Sequence, residues 1–135
     1  MINQHSEDCI RGTVVHGNHL GRTLGFPTAN VHPHSDQPAL VPNGVYLVSL
    51  FLQEKKFFGL CNIGLRPTIG GTHLVIEVNI DFSADIYGME ISVTIIRQIR
   101  KEKKFKNLEA LVSQIRHDKE KAMKMISALD KDKTG

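Results

Sequence analysis

GVYLVSLFLQEKKFFGLCNIGLRPTIGGTHLVIEVNI, residues 44–80, decides the fold. Three runs stand in it: GVYLVSLFL (44–52), KFFGLCNI (56–63) and HLVIEVNI (73–80). All three hold the β-branched and aromatic residues that suit a pleated, half-buried surface. The third alternates with period two. Leu74, Ile76, Val78 and Ile80 share one face, and Val75, Glu77 and Asn79 share the other. The links are short, Gln53-Glu54-Lys55 after the first run and the Gly70-Gly71-Thr72 turn before the third. Short links join antiparallel neighbours, because parallel strands need long crossovers. Gly64 and Pro67, in Asn62-Ile63-Gly64-Leu65-Arg66-Pro67-Thr68, read as the end of the middle strand.

Outward from this segment, GTVV (12–15) and MEISVTIIRQI (89–99) add two further β-rich runs. The stretch 16–43 between the first two runs is rich in Gly, Pro, His and Asn and shows no obvious secondary structure; a segment of that length is functional or disordered. The C-terminal third changes period. Leu108, Leu111, Val112, Ile115, Ala122, Ile126 and Leu129 recur at helical spacing, Asn107 stands at the N-cap, and Glu109 falls in the first turn, where a negative charge suits the helix dipole. The expectation is one amphipathic helix over 108–129, packed on a small antiparallel sheet or barrel. Residues 1–9 read as a flexible N-terminal segment, 10–130 as one domain and 131–135 as a polar tail.

At 135 residues the chain has the length of a single domain. No apolar run approaches the ~18 residues of a membrane span. MINQHSEDCI lacks the basic segment and apolar core of a signal peptide, so a cytoplasmic protein is expected. Cys9 and Cys61 are too few for a disulfide scaffold, and Cys61 reads as a small buried apolar residue. Residues 97–135 carry 12 of the 17 Lys and Arg and 6 of the 14 Asp and Glu. Glu102, Glu109, Asp118 and Glu120 interrupt the basic run, which makes it a solvated helix face and not a nucleic-acid surface. His16 with His19, and His32 with His34, have metal-ligand spacing, but only Asp36 offers a nearby carboxylate and no Cys does; they read as surface histidines.

Three pieces could carry chemistry. In GNHLGRTLGFPTAN (17–30), Gly17, Gly21 and Gly25 allow positive φ angles and close approach of a ligand to the backbone, and free amides in such turns can form an anion nest. Arg22 adds a bidentate cation. If the chain is extended after Pro27, Thr28 and Asn30 point the same way. Their hydroxyl and amide oxygens are hard ligands that could hold Mg²⁺ only if a polyphosphate supplied most of the coordination and charge. By composition alone the same stretch also suits an ordinary loop. Glu77, an acid inside an apolar strand, is a solvated carboxylate on an open sheet, or a proton acceptor for an attacking hydroxyl if its face lines a cleft. The segment 62–68 is the third.

GRTLGFPTAN (21–30), NGVY (43–46), NIGLRPT (62–68), IEV (76–78), DFSADIYG (81–88) and KFKNLEALVSQIRHD (104–118), in that order and spacing, resemble the riboflavin kinase (flavokinase) family from about residue 10 to residue 125. The resemblance implies a mainly β fold, a six-stranded antiparallel Greek-key barrel with a long C-terminal helix. It implies transfer of the ATP γ-phosphoryl group, with Mg²⁺, to the ribityl 5′-hydroxyl of riboflavin, giving FMN and ADP. On that likeness Thr28 and Asn30 hold the metal and nucleotide, Gly17, Gly21, Arg22 and Gly25 cover the phosphates, and Glu77 is the catalytic acid residue. Arg100, Lys104, Phe105 and Leu108 are then candidates for the flavin. The partners are small molecules, with neither membrane nor nucleic acid, and the protein is expected to be a monomer. In bacteria such a module commonly forms the C-terminal half of a bifunctional enzyme; 135 residues leave no room for the adenylyltransferase half, so a stand-alone kinase domain is expected. The stretch between Glu77 and DFSADIYG is one residue shorter than the family often shows, and such a change reverses side-chain facing unless a bulge or turn absorbs it. The alternative is a flavin or nucleotide sensor that kept the fold without catalysis.

Overall fold

In the computed structural model, which describes residues 9–15, 28–34, 42–52, 54–79 and 86–134, the segment 44–79 forms three consecutive antiparallel strands. These are β3 (Gly44–Leu52), β4 (Lys55–Thr68) and β5 (Gly71–Asn79). Leu52 pairs with Lys55 across the first turn, where Glu54 takes φ 65°, and Thr68 pairs with Gly71 across the second, where Gly70 takes φ 90°. A glycine adopts that left-handed conformation without steric cost. The remaining strands are β1 (Cys9–Val15), β2 (Thr28–Pro33) and β6 (Glu90–Lys101). The sheet closes as β1-β2-β5-β4-β3-β6, with every pairing antiparallel. Three hairpin-linked strands with β6 returning beside β3 make a Greek key. Closure gives every strand a neighbour on both sides over part of its length.

The barrel is filled from inside. Val14, Ala29, Val31, Tyr46, Val48, Leu50, Cys61, Ile63, Ile76, Val78, Ile91 and Val93 form one buried cluster. Each aliphatic side chain fully removed from water contributes about 1.5–3 kcal/mol. One interior layer runs Ala29–Val78–Cys61–Tyr46 across four strands. At the barrel end the Tyr46 hydroxyl donates to the Pro42 carbonyl at 2.5 Å. Asn43 Oδ1 accepts from the Leu65 amide at 3.1 Å, one bond beyond the last β3–β4 pair, Gly44 with Ile63. Gly44 lies so close to β6 that a Cβ there would stand 2.7 Å from the Arg100 carbonyl oxygen, which accounts for the glycine of NGVY. Two register shifts between β3 and β6 fit the longer β6 onto its neighbour.

The sequence expectations differ from this barrel in extent. The period-two runs mark five strands. The sixth, β2, lies inside the stretch 16–43 that reads as structureless. Among the residues of TANVHP whose burial is described, Ala29 and Val31 are the buried ones, too few for a periodic signal. β4 does not end at Gly64 or Pro67. It continues to Thr68, because past Ile63 it pairs with β5 alone among the described residues, and a proline is tolerated where one strand edge is open.

Lys103–Gly135 form a second compact unit. Its helix α1 spans Leu108–Thr134. Asn107 caps it, Oδ1 accepting from the Ala110 amide at 2.9 Å. The helix runs past Leu129, where the apolar periodicity ends, and through residues expected to be a tail; the charged run that follows has no helix breaker before Gly135. Likewise β1 begins at Cys9, inside the segment expected to be flexible. No helix among the described residues is long and apolar enough to cross a membrane.

Candidate active site

Alternation along β5 turns Ile76 and Val78 into the packed interior and leaves Glu77 on the outer wall, half-buried. The ladder then fixes what lies beside it. Asn30 of β2 is directly opposite Glu77 on one side, and Asn62 of β4 is directly opposite on the other. Directly opposed residues have Cβ atoms about 4.5–5.5 Å apart. Two pairs further along, and so on the same face, Thr28 stands opposite Asn79. The outer wall of β2, β5 and β4 therefore gathers a carboxylate and three carboxamides, from Asn30, Glu77, Asn79 and Asn62, with Thr28 two register positions from Asn30. The same circumferential row continues through Val45 of β3 to Arg100 of β6. At about 4.8 Å per strand, Arg100 lies roughly 14 Å around the wall from Glu77.

Charge is confined to the outside of this wall. Cys61, one residue from Asn62 but facing inward, is completely buried. Burial pushes its thiol far above the ordinary range, and the negative Glu77 nearby raises it further. Tyr46 is raised as well, chiefly by burial and then by Cys61. The interior layer beneath the site is thus neutral at physiological pH. On the site side, Asn62 Oδ1 is buried and has no hydrogen-bond partner among the described residues. An acceptor left in that state is costly and awaits a donor.

The structure thus brings together Asn30 and Glu77, and places Thr28 and Arg100 in register with the same patch. Gly17, Gly21, Arg22 and Gly25 lie outside the described residues. Arg100 is half-buried, and its Nη1 donates to the Lys101 carbonyl at 3.2 Å. In the helical unit, Lys104 is exposed, Phe105 is half-buried with Lys103 Nζ 5.9 Å from its ring centroid, and Leu108 opens α1 with half its surface exposed. His32 and His34 are exposed, and His34 Nε2 lies 3.1 Å from Thr13 Oγ1 and 3.4 Å from Glu90 Oε1. Asn79 was not among the sequence-derived site candidates, and Asn62 entered them only as the first residue of the segment 62–68, with no role of its own. Alternation puts Asn79 on Glu77's face, but Asn62 joins them only through cross-strand register. β5 keeps unbroken register with both neighbours up to Asn79, so the missing residue leaves that pairing intact. Residues 80–85 lie outside the described residues.

Comparison with known proteins identifies the family. A bifunctional riboflavin kinase/FMN adenylyltransferase from Escherichia coli K12 is 47% identical over 111 residues, 81% of this chain and 35% of that protein. An RNA-binding riboflavin kinase from Bacillus subtilis is 43% identical over 111 residues, 81% of this chain and 47% of that protein. The chain therefore spans less than half the length of either relative. The crystal structure of riboflavin kinase from Trypanosoma brucei superposes with a TM-score of 0.61 at 26% identity, covering 88% of this chain and 79% of that one. The family described as Flavokinase: Riboflavin kinase matches residues 5–126, and the chain belongs to the riboflavin kinase family.

Proposed function

We propose that this chain transfers the γ-phosphoryl group of ATP to the 5′-hydroxyl of riboflavin, giving FMN and ADP. The observation that carries this reading is the ladder pairing of Asn30 with Glu77, two pairs from Thr28. It sets the metal and nucleotide candidates against the carboxylate that would meet the hydroxyl.

Phosphoryl transfer asks for positioning and charge neutralisation more than covalent chemistry. In this reading Glu77 accepts a hydrogen bond from the 5′-hydroxyl, aims its oxygen at the γ-phosphorus and takes its proton as the new P–O bond forms and the bond from the γ-phosphorus to the β,γ-bridging oxygen breaks, that oxygen leaving with its electron pair on ADP. The donor set suits Mg²⁺. The patch offers the amide oxygen of Asn30 and a nearby carboxylate, which are hard oxygen ligands, while the softer Cys61 faces the other side of the wall. Asn30 and Thr28 would hold the ion together with phosphate oxygens, and when bound it neutralises charge developing on the phosphates. Gly17, Gly21, Arg22 and Gly25 are proposed to cover the phosphates. Arg100, Lys104, Phe105 and Leu108 are proposed to serve the flavin. The protein works as a monomeric cytoplasmic domain in this scheme. RNA binding, which the Bacillus subtilis relative's name states for that protein, would fall to the exposed Lys103, Lys104, Lys106, Arg116 and Lys124, and would show as affinity that falls steeply with salt.

The test is incubation with riboflavin, ATP and Mg²⁺, followed by chromatography for FMN, on the parent and on Glu77→Gln. The substitution should lower kcat by about 10²–10⁴-fold and leave riboflavin affinity within about twofold. An unchanged rate removes Glu77 from the reaction. Flavin binding without FMN from the parent would leave a sensor in place of a kinase.

A further inference from the structure

We propose that Asn62 is a riboflavin-specificity residue, whose buried Oδ1 accepts a hydrogen bond from a secondary hydroxyl of the ribityl chain; this rests on the reading of Glu77 as the group that meets the 5′-hydroxyl.

The argument begins with what surrounds Oδ1. Asn62 stands beside Glu77 on one strand and Val45 on the other. An ionised carboxylate only accepts, and valine offers nothing polar, so neither neighbouring side chain can donate to Oδ1. Val45 is itself buried, so the acceptor sits at a dry edge of the polar patch. With no partner for Oδ1 among the described residues, a ligand lying along the row can supply the donor. A nucleotide triphosphate presents oxygen acceptors there, which an orphan acceptor repels. A polyol presents O–H donors, which it attracts. Asn62 therefore belongs to the sugar-alcohol side of the site, opposite Asn30 across Glu77, and the order Asn30–Glu77–Asn62 runs from phosphate to polyol. A chain whose terminal hydroxyl meets Glu77 carries its next hydroxyls within one strand spacing of that point, about 4.8 Å. The row then leads on past Val45 toward Arg100, the side on which the flavin ring would lie.

The experiment compares parent, Asn62→Leu and Asn62→Ala by flavin-fluorescence titration with riboflavin and with lumiflavin, a flavin that lacks the ribityl hydroxyls, in the presence of Mg²⁺ and ADP. Both variants should bind riboflavin about three- to tenfold more weakly, the share of one hydrogen bond, bind lumiflavin as the parent does, and keep the parent's affinity for Mg²⁺-ADP. Without ligand, Asn62→Leu should melt no lower than the parent, because it removes a buried acceptor that has no partner. Equal losses for the two flavins, a loss for Mg²⁺-ADP with riboflavin spared, or a lowered melting temperature of Asn62→Leu would each overturn the proposal. If the parent binds riboflavin and forms FMN while the variants match it, only the role of Asn62 falls. If the parent does neither, the kinase reading falls with it.

Discussion

Asn30→Asp would place a second carboxylate against Glu77, and the size of the penalty follows from the ladder. Direct opposition sets the Cβ atoms about 5 Å apart. Two unit charges at that distance repel by about 0.8 kcal/mol in bulk water and by about 3 kcal/mol at an effective dielectric constant of 20. Both positions are half-buried on the outer wall, so solvent screening pulls the value to the lower part of that range. The expected loss is about 1 kcal/mol at pH 7 and low salt, or about 3–5 °C in Tm for a chain of this length. The sign is fixed by charge, since only a second carboxylate repels the first. Salt near 1 M, where the Debye length is about 3 Å, should remove most of it. Adding Glu77→Gln to Asn30→Asp should restore the loss. The assay is urea or thermal unfolding by circular dichroism at low salt and at about 1 M salt. A loss of equal size at the two salt concentrations, or one that Glu77→Gln does not relieve, would mean that the two side chains are not neighbours, and the proposed site would go with them.

Two further perturbations probe the scaffold. Cys61→Ser puts a hydroxyl at a completely buried interior position, at a cost of about 1–3 kcal/mol of desolvation that Cys61→Ala does not share; urea midpoints should order parent, Ala, Ser, and equal midpoints for the two variants would contradict a dry interior. Asn107→Ala removes the oxygen that accepts from the Ala110 amide and should cost about 1 kcal/mol, read as earlier loss of helical ellipticity on heating, with an unmoved transition counting against the cap.

How far the sequence reaches can be seen at particular residues. Ile76, Glu77 and Val78 are legible from alternation alone, because one face of β5 is apolar and the other is not. Asn107 and Glu109 are legible because capping is local chemistry. β2 is not, since Thr28–Pro33 has two inward residues and ends in proline; only the family resemblance anticipates a sixth strand. Asn62 is legible only as the first residue of a candidate segment, without a role, for a different reason. Its importance lies in standing opposite Glu77, fifteen residues away in sequence, and register is a property of the pair. Pro67 misleads because a local breaker is harmless on a strand with one open edge.

The same register that packs the barrel also builds the polar patch, and the two cannot be changed separately. Ile76 and Val78 face Ala29, Cys61 and Ile63 inside, while Glu77 faces Asn30 and Asn62 outside. Slipping β5 by one residue would bury the carboxylate among Val, Ile and Tyr side chains and turn two core residues to water. Core hydrophobicity therefore enforces the position of Glu77 to within one strand pairing, with no contribution from the ligand. A closed barrel strengthens this restraint, because slippage of one strand must be absorbed by both neighbours around the ring. A rigid wall also suits a reaction that depends on holding phosphate and hydroxyl in line, since neighbouring strands keep fixed lateral spacing.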